Sequence, residues 1–91
     1  MPFIARWPGK VKAGLNATSV ISTDFYPTLL SAAGIAVGKG VASDGEDLLP
    51  LLTAGKKLKR QAVFWHYPNF AFHRDNRLGS AIRAGDYKLL E

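Results

Sequence analysis

Residues 62–76, AVFWHYPNFAFHRDN, carry the side chains of this sequence that are best suited to chemistry: five aromatic rings and two histidines within fifteen positions. An imidazole can transfer a proton, bind a metal or donate a hydrogen bond near neutral pH, and Trp and Tyr join an apolar face to a polar tip. The stretch therefore fits a ligand-binding or active site, a surface that stacks nucleic-acid bases, or only the end of a strand that leaves a core.

Metal binding is not supported by the two histidines, His66 and His73. They are seven residues apart across Pro68, so they cannot share one face of a helix. Neither a cysteine nor an H-E-x-x-H motif is present to complete a set of ligands. The sequence therefore predicts no metal site in this chain.

The sequence also lacks the residues that a nucleophilic catalytic site would need. The chain has no cysteine, and none of its five serines lies in a G-x-S-x-G motif, so no catalytic residue is predicted. Two interpretations of His66 stay open. One is a strand histidine packed among aromatic neighbours with a ring N–H bonded to a carbonyl, and the other is a side chain that faces a ligand.

The charge balance favours anionic partners. Twelve Lys and Arg against seven Asp and Glu give a net charge of +5, which attracts nucleic acid, sulfated sugars or phosphate compounds. Aromatic rings near Arg74 and Arg77 suit base stacking, but Phe64 and Trp65 would point to opposite faces of a strand, so nucleic acid is not the expected partner. No apolar run approaches the roughly 18 residues of a membrane span, and no membrane partner is expected.

Local signals predict two helices in the first half of the chain, which as a whole is long enough for one domain at most. A helix over residues 23–33 has Ser, Thr and Asp side chains at its start and Gly34 at its end. A second, short helix is expected behind a capping box at residues 43–46, kept short by Pro50 and ended near Gly55.

The remaining elements are predicted as strands and loops. Residues 2–7 and 62–67 are β-prone, and Pro8-Gly9 is expected to form a tight turn. Residues 80–83 and 87–90 are predicted as a hairpin that turns at Gly85, which is free to take a positive φ. The basic run at residues 56–60 is typical of a solvated linker.

Five sequence blocks occur in an order and spacing that can be compared with known families: PFIARWPGK at 2–10, ISTDFYPTLL at 21–30 with AGI at 33–35, DG at 44–45 with LLPLL at 48–52, FWHYP at 64–68, and SAIR at 80–83 with GDYKL at 85–89. Together they resemble the C-terminal part of type I, formylglycine-dependent sulfatases, especially bacterial arylsulfatase-like enzymes. The resemblance covers essentially the whole chain.

The resemblance implies an α/β fold class, as the C-terminal fragment of an alkaline-phosphatase-like sulfatase. Residues 1–55 would be the end of the large α/β domain, contributing a strand, a helix and a short helix. Residues 56–91 would be the start of the smaller C-terminal subdomain, which is built on an antiparallel sheet.

The family hydrolyses sulfuric esters with a formylglycine made from a C/S-x-P-S-R motif and held on a calcium ion. None of the five serines here is followed by x-Pro-x-Arg, and the sequence has no cysteine. The resemblance therefore implies that this chain alone holds no cofactor and is inactive. Its implied partner is the missing N-terminal catalytic part, and the isolated chain is expected to self-associate. Family members are often periplasmic or secreted.

By the same resemblance, the smaller subdomain helps to form the rim of the substrate pocket. The implied substrate-binding residues are His66, Tyr67, His73, Arg74 and Arg77. They would contact the organic part of a sulfated small molecule or glycan in the full enzyme. The alternative, drawn from charge alone, is a free-standing basic module that binds sulfated glycans or nucleic acid through Arg74 and Arg77.

Overall fold

The computed structural model describes residues 2–38, 42–68 and 79–91. They form a 3-10 turn at Ser22–Asp24, helix α1 at Phe25–Ala32, helix α2 at Leu49–Ala54, and strands β1 at Ala62–Tyr67, β2 at Gly79–Ala84 and β3 at Tyr87–Leu90. The chain divides into two compact units, Met1–Lys59 and Arg60–Glu91, which are described separately below. No helix among the described residues has the length and apolar character needed to cross a membrane.

Helix α1 confirms the predicted helix, with a first turn tightened to a 3-10 turn. At its end Gly34 takes φ +72°. The Gly34 N–H bonds the Ser31 carbonyl at 3.0 Å, and the Ile35 N–H bonds the Leu30 carbonyl at 2.9 Å. This pair of bonds is a Schellman motif, and it satisfies carbonyls that the helix end would otherwise leave unpaired.

Helix α2 is short, as predicted. Pro50 lies in its first turn, where the missing N–H costs no helical hydrogen bond. The helix ends at Gly55, which takes φ +65° and donates its N–H to the Leu51 carbonyl at 3.0 Å. A left-handed residue at this place is what a glycine accommodates without a steric penalty.

The predicted capping box at residues 43–46 is wrong. Helix α2 starts only at Leu49, whose N–H bonds Asp47 Oδ1 at 2.8 Å. Glu46, the expected second member of the box, instead accepts the Lys59 N–H at 2.7 Å with its carboxylate. The motif was placed too far upstream, because a capping box has to adjoin the first helical turn.

Residues 2–7 do not form the predicted strand within the described part of the chain. A strand requires a neighbour that accepts and donates its ladder hydrogen bonds, and no described segment of this unit supplies one. The Phe3 ring packs against Phe25 with centroids 5.0 Å apart. The predicted turn at Pro8-Gly9 is confirmed, since Gly9 takes φ +78° and the Lys10 N–H bonds the Trp7 carbonyl at 3.0 Å.

A buried polar junction connects α1 to the segment that leads into α2. Asp24 is fully buried, and its carboxylate accepts the N–H of Ile21 at 2.9 Å and that of Glu46 at 3.0 Å. The Thr28 hydroxyl donates to the Asp24 carbonyl at 2.6 Å and accepts the Leu48 N–H at 2.8 Å. These bonds hold the two segments together beside the buried Leu48 side chain.

The second unit is an antiparallel sheet in the order β1-β2-β3. The predicted hairpin is confirmed: Ala84 pairs with Tyr87, so the loop is the two residues Gly85 and Asp86. Gly85 takes φ +55°, and the described part of the chain has no positive φ at a non-glycine residue. This combination is that of a type II′ turn, whose twist matches the flanking strands.

Candidate functional site

Strand pairing brings three polar side chains into one row across the sheet. His66 of β1 is opposite Ser80 of β2. Ser80 and Glu91 then exchange both main-chain hydrogen bonds, at 3.3 and 3.0 Å. Directly paired residues of an antiparallel sheet project from the same face. His66, Ser80 and Glu91 therefore share a face, and they are called the polar row below.

His66 is hydrogen-bonded within the sheet and exposed to solvent. Its ring Nδ1 lies 3.1 Å from the Ser80 hydroxyl oxygen, a hydrogen bond whose donor depends on the imidazole tautomer. The bonding partner is a hydroxyl and not the carbonyl expected for a packed strand histidine. The side chain is exposed, so His66 faces outward where a ligand can reach it.

The polar row borders an open cavity of about 360 Å³ at the end of the sheet where β1 stops and β2 starts. Its described lining residues are His66, Tyr67, Pro68, Gly79, Ser80 and Glu91. They offer an imidazole, a phenol, a hydroxyl and a carboxylate beside the apolar surface of a proline. Sites of this composition orient a ligand through a few hydrogen bonds against apolar walls.

Two of the predicted site residues, His66 and Tyr67, line this cavity together. The other three, His73, Arg74 and Arg77, fall on residues outside the described part of the chain and stay predictions. Sequence reasoning missed Ser80 and Glu91. The signal that could have found Ser80 is its place at the start of β2, but the register against β1 depends on the loop between the strands.

The other face of the sheet carries apolar and cationic side chains. Trp65 and Val63 of β1 lie on it, and Arg83 is directly opposite Lys88 in the β2–β3 pair. Arg83 thus has Val63 on one side and the cation Lys88 on the other. Like charges directly opposite each other repel, so this pair does not stabilise the sheet.

The resemblance implies a calcium ion, and the described residues can be compared with the ligands that this ion requires. Among them, no group of three or more His, Asp or Glu side chains is placed to hold a metal ion. Calcium needs six or more oxygen ligands, largely from carboxylates and carbonyls. The buried carboxylate of Asp24 is already bonded to two backbone N–H groups. The described residues therefore do not fit a calcium site.

Comparison with protein families gives a match along the whole chain. Residues 1–91 match the family described as N-sulphoglucosamine sulphohydrolase, C-terminal. The match extends over both compact units, including the strands that carry the polar row.

Similar curated proteins include several sulfatases. The chain is 38% identical to arylsulfatase A of Homo sapiens over 87 residues, which is 96% of this chain and 16% of that protein. It is 35% identical to the N-acetylgalactosamine-6-sulfatase of Canis lupus familiaris over 88 residues, 96% of this chain and 15% of that protein. Arylsulfatase G of Mus musculus is 27% identical over 89 residues, covering 97% and 17% respectively. The chain thus spans about a sixth of the length of these relatives.

Proposed function

The chain belongs to the N-sulphoglucosamine sulphohydrolase C-terminal family and is a C-terminal part of a sulfatase, and from this we propose that its small sheet contributes to the rim of the substrate pocket. In this proposal His66 and Tyr67 contact the organic part of a sulfated small molecule or glycan. They confer substrate preference and take no part in breaking the sulfate ester bond.

The observation that carries this proposal is the cavity at the end of β1 and β2. It brings His66 and Tyr67 together with the Ser80 hydroxyl in an open, solvent-accessible position. A rim needs side chains that are exposed, oriented by neighbours and able to form hydrogen bonds. The bond of 3.1 Å between His66 Nδ1 and Ser80 Oγ supplies that orientation.

The same proposal assigns the two parts of this chain to two domains of the whole sulfatase. Residues 1–55 would be the end of an alkaline-phosphatase-like α/β domain, and residues 56–91 the start of its antiparallel-sheet subdomain. Residues 2–7 would then gain their ladder partner from a strand of the large sheet. Exposed apolar side chains of the first unit, such as Ile4 at 89% and Leu29 at 68% exposure, support a covering partner. That partner would be the N-terminal catalytic part of the sulfatase.

We expect the purified 91-residue chain to hydrolyse no aryl sulfate, with or without calcium. The chain contains no C/S-x-P-S-R motif and therefore no precursor of a formylglycine nucleophile. The measurement is release of 4-nitrophenol from 4-nitrophenyl sulfate by homogeneous protein against a buffer blank. Turnover above the blank that follows the protein through two purification steps would contradict the assignment.

In the whole sulfatase that carries this chain, His66→Ala is expected to raise KM about tenfold while kcat changes less than twofold. A side chain that binds substrate and transition state equally well changes KM alone, and a lost hydrogen bond of a polar side chain has about this effect. Steady-state kinetics with a sulfated substrate measure both constants.

The matched control is Lys88→Gln, since Lys88 lies on the opposite face of the same sheet. It should leave both constants unchanged. If His66→Ala behaves like this control, the proposed place of the sheet at the pocket rim is wrong. A loss confined to kcat would also contradict it, since that pattern belongs to a group acting in the transition state.

A further inference from the structure

We propose that Asn16 is an acceptor site for an N-linked oligosaccharide. Asn16, Ala17 and Thr18 form the sequence N-x-T with no proline in the middle, which is the acceptor pattern of asparagine glycosylation. The chain contains three asparagines, and Asn16 alone has a Ser or Thr two positions further on. The site lies in the first unit, so it does not depend on the pocket rim proposed for the second.

The stretch of chain around Asn16 is accessible. Residues 12–18 are all exposed, and residues 14–20 contain no helix or strand. A transferase can therefore bind this stretch without breaking the hydrogen bonds of a helix or a sheet. The folded protein can also carry a bulky glycan there, as glycosylated asparagines require a surface position.

A hydrogen bond orients the acceptor amide. Asn16 Oδ1 accepts the Thr18 N–H at 2.8 Å, which closes an Asx turn. The bond engages the oxygen of the amide and leaves its nitrogen, Nδ2, available for the glycan. The turn also brings Thr18 next to the Asn16 side chain, so that one enzyme can contact the hydroxyl and the amide together.

The transferred group comes from a lipid diphosphate that carries an oligosaccharide. Nδ2 of Asn16 forms a bond to C1 of the first sugar, while the bond from C1 to the diphosphate oxygen breaks. The lipid diphosphate leaves with that electron pair, and Nδ2 gives up one proton to a base of the transferase. The step is a substitution at carbon, so it needs neither an oxidant nor a reductant.

The modification has a consequence for the assembled sulfatase. A glycan is bulky and hydrated, so the stretch that bears it has to face solvent. Residues 12–18 would then lie on a side of the first unit that the N-terminal catalytic part leaves uncovered, unlike the apolar surface at Ile4 and Leu29. The glycan would also shield Leu15, which is fully exposed beside Asn16.

The test uses the whole sulfatase that carries this chain, secreted from a eukaryotic cell that glycosylates its proteins. The folded enzyme is treated with peptide N-glycosidase in water enriched in heavy oxygen, which converts a glycosylated Asn into a labelled Asp. Trypsin in ordinary water then releases residues 13–39, a peptide whose only asparagine is Asn16. We expect this peptide to carry the label. The peptide of residues 61–74, with Asn69, should stay unlabelled and is the internal control for spontaneous deamidation.

Two variants separate the acceptor pattern from the turn. Thr18→Val removes the hydroxyl but keeps the N–H that closes the Asx turn, and it should abolish the label. Thr18→Ser keeps both groups and should remain labelled. Unchanged turnover of 4-nitrophenyl sulfate shows that each variant folds.

The contrary results are recognisable. An unlabelled peptide 13–39 from the unmodified enzyme would mean that Asn16 forms a plain Asx turn and accepts no glycan. Label that persists in Thr18→Val, or that also appears at Asn69, would trace the signal to deamidation. Label obtained only after the enzyme is denatured would show that the stretch is covered in the folded sulfatase. The first two results overturn the acceptor site and the third overturns its exposed position, and all three leave the His66→Ala kinetics untouched.

Discussion

Gly45→Ala is expected to lower the free energy of unfolding of the first unit by about 3 kcal/mol or more. An added Cβ at this position would overlap the main-chain carbonyl of Thr23 and lie 2.7 Å from the Asp24 nitrogen. Both obstacles are backbone atoms, which cannot rotate away as a side chain can. The segment before α2 would have to move off the start of α1, and the buried junction around Asp24 would open with it.

The measurement is urea denaturation followed by Trp7 fluorescence in a Trp65→Phe background, so that the signal comes from the first unit alone. Gly14→Ala is the matched control, because nothing lies within 4 Å of a Cβ built there. It should change the free energy of unfolding by no more than about 0.5 kcal/mol. Equal effects of the two substitutions would show that the close approach at Gly45 does not exist in solution.

Asp24→Ala is expected to destabilise the first unit by about 2–4 kcal/mol. The substitution leaves the N–H groups of Ile21 and Glu46 without the carboxylate that accepts them at 2.9 and 3.0 Å. Because Asp24 is fully buried, water cannot replace the lost acceptor without opening the junction. The same fluorescence-detected urea denaturation measures the effect.

Two further variants make this prediction specific. Asp24→Asn keeps the size of the side chain but turns one acceptor oxygen into a donor, so it should recover only part of the loss. Asp44→Ala removes an exposed carboxylate of the same segment and should be nearly neutral. A fully stable Asp24→Asn protein would mean that only one of the two N–H groups depends on the carboxylate.

Signals from neighbouring residues were sufficient to predict where the helices end and where the hairpin turns. Gly34 and Gly55 were predicted as helix ends, and each takes a positive φ there. Gly85 was likewise placed correctly, in the β2–β3 turn, and α2 is short as expected from Pro50, although Pro50 lies in its first turn. Such signals act within about four residues of chain, so their physical cause is present in the sequence at one place.

The same local reasoning failed where a partner lies far along the chain. Residues 43–46 were interpreted as a capping box, but Glu46 bonds Lys59 and its N–H bonds Asp24, 22 residues away. The sequence also offered no reason to treat Gly45 differently from Gly14. Its close approach to Thr23 arises only when α1 and the segment before α2 pack together.

The five sequence blocks were enough to assign this chain to the C-terminal part of a sulfatase, which the match over residues 1–91 confirms, and to name His66 and Tyr67 as candidate substrate contacts. That Ser80 and Glu91 lie beside His66 became visible only in the folded sheet. Their position depends on strand register, since a shift of one residue moves every side chain to the other face of the sheet. Register depends on how the paired strands pack, and no local pattern in the chain encodes it.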